Sequence, residues 1–300
     1  MKAPFAVLLA AGLALAPLGA RAQSEPPVEL TGTLAKARAS GAVTIAHRES
    51  SIPFSYLNAR KEPIGYSIEL CKSLVEAIGV AVGKELEIKW LPVTSASRIE
   101  AIVSGKADLE CGSTTNDIER RKQVAFSPTI FVSGTKLMVK RGSPIKSYRD
   151  LGGKTVVVTA GTTNQKAMEE ITRRFKVDFK IVVSPDHAQS FLQVVEGKAD
   201  AFATDDVLLY GLIAGNFAQK NFDVVGEFLS YDPYGVMYRK GDAQLERLVN
   251  ETFHALAEDG EIDRQYKRWF MRKLPSGASI DLPMSPQLES LVRAMATKPE

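Results

Sequence analysis

The chain is predicted to be an α/β protein of two lobes, each a mixed sheet flanked by helices, the lobes joined by two hinge strands. Three observations carry that expectation. β-Branched apolar runs alternate with stretches of helical periodicity twice along the chain, the rhythm of a largely parallel sheet covered by helices. The tetrapeptide Gly105-Lys106-Ala107-Asp108 recurs as Gly197-Lys198-Ala199-Asp200, each time where a helix ends and a strand begins. Finally, 278 of the 300 residues remain after an N-terminal leader, more than one typical core accommodates.

The leader is residues 1–22. Lys2, an apolar run from Ala6 to Ala16 and an Ala20-Arg21-Ala22 ending read as a secretory signal peptide cleaved after Ala22. The run is too short to span a bilayer comfortably and no later stretch competes with it, so an exported chain without membrane insertion is expected. Without Lys2 and Arg21, 36 basic residues face 35 acidic ones, a net charge of +1. That balance is no footprint for nucleic acid or an anionic membrane surface. The two cysteines, Cys71 and Cys111, meet an oxidising compartment, which favours a disulfide between them over two buried free thiols.

The first lobe is expected over 23–132 and 232–300. Gly41–Arg48 reads as a strand ending in a loop around Pro53, and Ile68–Ile78 has its apolar residues at helical spacing. Leu86–Val93 alternates as a strand, after which Thr94 or Ser95 caps a helix that stops at Gly105. Ala107–Cys111 is the next strand. The second lobe, over 133–231, repeats the series through Thr155–Val158, Phe179–Val183, a helix from about His187, Ala199–Thr204 and Val224–Gly226. Two similar segments, Phe131–Lys140 and Tyr231–Lys240, flank it and read as connectors that form a hinge. Gln244–Asp259 and Glu261–Met271 are helices whose Trp269 and Phe270 are expected to pack onto the first lobe, and Pro286 opens a last helix.

Chemistry concentrates after Cys111. Gly112-Ser113-Thr114-Thr115 is expected to turn into a helix at Asn116, with Asn116 as N-cap and Glu119 completing a capping box. The free N–H groups of that turn, the hydroxyls of Ser113 and Thr115 and the Arg120 guanidinium then suit a carboxylate. Aligning Gly105 with Gly197 also sets Ser95 opposite His187 and Ser113 opposite Asp205. Both lobes thus offer polar groups at equivalent strand-to-helix junctions, where open α/β sheets bind ligands.

His47–Tyr56, Glu110–Ser127, Thr159–Asn164, Pro185–Phe191 and Thr204–Asp206 together resemble the polar amino-acid solute-binding proteins that feed ABC importers, and within them the group that takes glutamate and aspartate. The resemblance extends over essentially the whole mature chain. It implies the two-lobe periplasmic binding protein fold of type II and a periplasmic monomer that captures an acidic amino acid for a permease, without cofactor or catalysis. It also implies roles. Arg120 clamps the α-carboxylate with Thr115 and with Thr162 or Thr163, while Asp205, adjacent to Asp206, receives the α-ammonium beside Ser113. Arg48, Arg98, Ser95 and His187, protonated or not, form the side-chain carboxylate pocket. Three arginines against one aspartate then suit a ligand with two carboxylates and one ammonium. Two alternatives share the fold: a cyclohexadienyl dehydratase-like enzyme with His187 and Asp205 as its proton-transfer pair, or an amino-acid-sensing partner of a chemoreceptor. His47, His187 and His254 are scattered and the two cysteines are not clustered, so no metal site is expected, and no nucleotide or nucleophile motif is present.

Overall fold

The computed structural model describes residues 29–297, so the expected signal peptide lies outside the described residues. The chain begins with α1 (Gly32–Ser40), β1 (Ala42–His47), β2 (Ser50–Ser51), β3 (Ser55–Leu57) and β4 (Pro63–Ile64). It continues through α2 (Tyr66–Val82), β5 (Glu87–Pro92), α3 (Arg98–Val103) and β6 (Leu109–Glu110). A 3-10 turn, Arg120–Lys122, precedes β7 (Val124–Phe126), β8 (Phe131–Ser133) and β9 (Thr135–Lys140), and a second, Tyr148–Leu151, follows them. Next come β10 (Thr155–Thr159), α4 (Thr163–Phe175), β11 (Lys180–Ser184), α5 (His187–Val195), β12 (Ala201–Asp205) and α6 (Asp206–Gly215). The remainder is β13 (Phe222–Val225), β14 (Asp232–Tyr234), β15 (Met237–Arg239), α7 (Ala243–Glu258), α8 (Glu261–Tyr266) and α9 (Pro286–Ala296).

These strands make two five-stranded sheets of matching design, β5-β1-β6-β15-β7 and β11-β10-β12-β9-β13. In each, four strands run in one direction and one, β15 in the first sheet and β9 in the second, runs against them. The parallel trios follow from the strand–helix–strand connections, since a parallel neighbour needs a long crossover. The antiparallel members are the continuations of the two connecting segments. β8 pairs with β14 as a two-stranded ribbon, beyond which β9 enters the second sheet and β15 the first. The chain thus crosses between the lobes on both sides of that ribbon.

The repeated tetrapeptide does the same work in both lobes. After its helix, Gly105 and Gly197 adopt positive φ of 76° and 75°, a left-handed turn that glycine takes without a Cβ clash. Asp108 N then donates to Thr44 O and its carboxylate accepts from Thr44 N, both at 2.8 Å. Asp200 repeats this on Thr155 at 2.8 and 2.7 Å. Each Asp therefore locks its strand in register against the neighbouring parallel strand, β1 or β10.

The first lobe's core joins α2, α7 and the C-terminal helices to the sheet through Leu74, Ile78, Val249 and Phe253. Phe270 stacks on Phe131 and meets Phe54 and Tyr66 edge-on, as expected of that aromatic pair, while Trp269 meets Tyr56. The second lobe buries Val156 and Val158 on one face of its sheet and Val157, Met138 and Phe202 on the other. A strand covered on both faces needs such continuous apolar runs. Among the described residues, no helix is long and apolar enough to cross a membrane.

One expected element does not form. No α-helix opens at Asn116, because Thr115 bridges to Tyr234 and Asn116 N donates to Pro233 O at 2.7 Å, which holds this stretch extended along the hinge strand. The chain turns only after Asp117, whose carboxylate accepts from Arg120 N at 2.7 Å. Asp117 therefore takes the capping place assigned to Asn116, and Glu119 bonds Lys122 instead of reaching back. At α3, Thr94 and Ser97 bond each other's backbone N–H, which leaves the Ser95 hydroxyl out of the cap.

Candidate functional site

The ends of the parallel strands in both sheets face a common cleft. Arg48 follows β1 and is held by its backbone N–H, which donates to Ser55 Oγ at 2.9 Å. Its side chain is 1% exposed, and among the described residues Nη1 has no hydrogen-bond partner. Arg98, the first residue of α3, donates from Nη1 to Ser113 O at 3.3 Å, while its Nε is buried without a partner. The buried hydroxyls of Ser95 and Ser113 also lack partners. Buried polar atoms are seldom left so, and four together at one cleft mark a place built to receive polar groups from outside the chain.

Arg120 reaches from its short turn across to the other lobe. Nη1 donates to Thr115 O at 2.8 Å, Nη2 to Gly161 O at 3.3 Å, and Nε lies 3.8 Å from Asp117. Thr115 itself stands 3.3 Å from Thr163 of the second lobe and donates to Asp232 at 3.0 Å. The neighbouring threonines differ in surroundings. Thr162 donates to Thr159 O at 2.7 Å and accepts from Gln165 N, so it caps α4, whereas the Thr163 hydroxyl faces Thr115.

From the second lobe, His187 opens α5 with Nδ1 2.9 Å from the Thr159 hydroxyl. Asp205 ends β12 and accepts from Asn164 Nδ2 at 2.9 Å and from the Tyr234 hydroxyl. Asp206 turns away toward Ser133 and the start of α6.

Electrostatics tie these groups into one volume. Burial lowers the pKa of Arg48, and burial together with Arg120 pulls that of Arg98 down to about 9. Burial, with Arg48 and Arg98 nearby, holds His187 well below the usual imidazole range, so its neutral form prevails at neutral pH. Asp205 is pushed well above the carboxylate range by burial and by Asp232. Among the described residues, the one ion pair within 4.0 Å made by Arg48, Arg98 or Arg120 is the Arg120–Asp117 contact. Two guanidinium groups thus sit desolvated and unpaired, an arrangement that costs several kcal/mol and that anionic oxygens would relieve.

Beyond Asp205, which the sequence pointed to, further acids border the site. Glu110, 0% exposed at the end of β6, accepts from Thr114 Oγ1 at 2.6 Å through one oxygen and has no partner for the other. Its signal was an acid inside an apolar strand. Asn164, Asp232 and Tyr234 also border Asp205 and Thr115, and the last two arrive only because the hinge strand returns past the first lobe.

The family model for bacterial extracellular solute-binding proteins, family 3, matches residues 43–272. The chain is 41% identical over 273 residues to the L-glutamate/L-aspartate-binding protein of Pseudomonas aeruginosa, covering 90% of each. It is 38% identical over 288 residues to the glutamate/aspartate import solute-binding protein of Salmonella typhimurium, covering 95% of this chain and 93% of that one. Among solved structures it is similar to the ancestral amino acid-binding protein AncCDT-1, a precursor of cyclohexadienyl dehydratase, with a TM-score of 0.69 and 30% identity over 79% of this chain and 99% of that one. Two matching sheets, a double crossover and a cleft of unpaired donors are what these comparisons account for: the chain belongs to the bacterial extracellular solute-binding proteins, family 3.

Proposed function

We propose that this protein is exported to the periplasm through its 1–22 leader, captures L-glutamate or L-aspartate as a monomer, and delivers it to an ABC-type importer. The observation that carries the acidic ligand is the pair of buried, unpaired guanidinium groups of Arg48 and Arg98, with the Ser95 and Ser113 hydroxyls beside them. In this reading the two guanidinium groups take the side-chain carboxylate with Ser95 and His187, while Ser113 serves the ammonium with Asp205. Arg120, Thr115, Thr163 and the opening turn of α4 take the α-carboxylate, with Thr162 holding that turn in place. Asp205 receives the ammonium, whose positive charge offsets the cost of burying that carboxylate. The dehydratase alternative asks His187 and Asp205 to exchange a proton, yet each is bonded elsewhere, to Thr159 and to Asn164 and Tyr234.

The test is a thermal-shift and calorimetric panel. Glutamate and aspartate are expected to raise the melting temperature, with glutamine and arginine weaker; a response to glutamine or arginine but to neither acid would sink the proposal. Arg98→Ala is expected to weaken glutamate by about thirtyfold or more, about 2 kcal/mol, with a smaller effect on glutamine. Equal losses for the two ligands would remove Arg98 from the carboxylate pocket.

Closure of the lobes makes a separate prediction. A Cβ at Gly211 would stand 2.1 Å from Ile52 O, and one at Gly215 2.8 Å from Ile52 Cδ1, so α6 of the second lobe seats against a first-lobe loop only because both residues are glycine. Gly211→Ala adds a better helix former, worth about 1 kcal/mol to α6, yet blocks that seat. Unchanged or higher stability without ligand, together with glutamate affinity lowered about tenfold, is expected by calorimetry. Unaltered affinity would show that this contact is not part of closure.

A further inference from the structure

Glu110, like Asp232, is a buried acid at the cleft that the ligand roles above leave unused, and its setting beside the arginines is specific. β6 pairs Glu110 with Ala46 of β1 on one side and Met237 of β15 on the other, so its backbone is fixed in the middle of the sheet. Thr114 holds one carboxylate oxygen at 2.6 Å, and the other has no hydrogen-bond partner among the described residues. A Cβ at Gly112 would lie 2.3 Å from that free oxygen and 3.0 Å from Arg48 Cγ. The carboxylate and the arginine stem therefore flank one point of backbone, where a side chain would meet both.

Despite this closeness, Glu110 forms no ion pair within 4.0 Å of Arg48 or Arg98. Its negative charge is nonetheless the largest influence holding Arg48 protonated against burial, and it acts on Arg98 too. A buried acid that paired with these arginines would occupy their donors. Glu110 instead lowers the positive potential around them while Arg48 Nη1 and Arg98 Nε stay unpaired.

We infer that Glu110 is a specificity-determining counter-charge: it stabilises the arginine pocket between ligands and holds down the affinity for a second carboxylate. The inference rests on the proposed function and deepens it. A fixed buried anion repels an incoming carboxylate through a medium of low effective dielectric, with little screening by salt. A neutral side-chain amide in the same place feels almost none of that repulsion. Glu110 thus narrows the gap between glutamate and glutamine, and it lets an acidic ligand leave once the lobes part.

The experiment is Glu110→Gln, which keeps the shape and an oxygen to accept from Thr114, titrated with glutamate and glutamine beside the wild type. The expected result is glutamate bound about tenfold tighter, glutamine within about twofold of the wild type, and a lower melting temperature without ligand. The glutamate gain should persist at high ionic strength, since the charge is buried. Loss of both ligands in parallel would make Glu110 a purely structural residue and overturn the inference, as would an unchanged glutamate affinity. A wild type that binds neither acidic ligand overturns the function itself and this inference with it, so the two failures are distinguishable. If the variant does not fold alone, it is refolded with glutamate or with glutamine: recovery with glutamate only is expected, while equal recovery or none with both overturns the inference.

Discussion

Arg120→Ala is expected to abolish useful capture of every amino-acid ligand, acidic or neutral, with losses on the order of a thousandfold. The guanidinium is buried between the lobes, donating to Thr115 O in one and Gly161 O in the other. In the proposed role its planar fork also meets the α-carboxylate, the group that all such ligands share. Truncation removes a desolvated charge from a carboxylate and leaves two carbonyls unpaired, a change worth about 3–5 kcal/mol. Arg120→Lys separates charge from geometry. It keeps a cation but cannot reach both carbonyls and a ligand in one plane, so an intermediate loss is expected. Calorimetry with glutamate and glutamine decides the matter. A loss confined to glutamate would assign Arg120 to the side chain, and full affinity in Arg120→Ala would remove it from the site.

Removing the disulfide is expected to have the largest effect on stability. Cys71 of α2 and Cys111, directly after β6, are joined across a sequence separation of 40, and both are fully buried. Closing a loop of that length restricts the unfolded chain by about 4 kcal/mol in the chain-entropy account. For a chain of this size that corresponds to about 10 °C or more in melting temperature. Cys71→Ala/Cys111→Ala should melt lower by that amount, and the wild type in strong reductant should approach it. A binding effect should accompany the change, because Cys111 anchors the Gly112–Thr115 stretch from which Ser113 and Thr115 project. Identical melting of the wild type with and without reductant would show that the bond contributes nothing, as two free thiols would.

How much could be read beforehand follows from what is local. Val156–Val158 is an unbroken apolar, β-branched run, so it announces a strand buried on both faces, and β10 is one. The Gly-Lys-Ala-Asp repeat was legible because a left-handed glycine after a helix is a local requirement, and its Asp acts on the adjacent strand. Asn116 misled for the opposite reason. Its side chain and Glu119 meet the pattern of a capping box, but capping is worth about 1 kcal/mol and loses to the backbone pairing of Thr115 and Asn116 with a strand more than a hundred residues later.

By itself, then, the sequence determined the alternation of strands and helices, the doubling of the sheet, the pairing of the two cysteines and the identities of the cationic side chains that gather at the cleft. The alternation and the doubling depend on neighbours a few residues apart or on one repeated motif, the cysteine pairing on an even count in an oxidising compartment, and the cationic set on the resemblance to a known family. Tertiary structure alone decided the charge balance of that cleft: Glu110 behind Arg48, Asp232 and Tyr234 beside Asp205, and His187 in its neutral form. The reason is physical. A charge buried at a crossing of distant segments is set by desolvation and by partners that only the closed fold brings within reach, and no spacing along the chain encodes either.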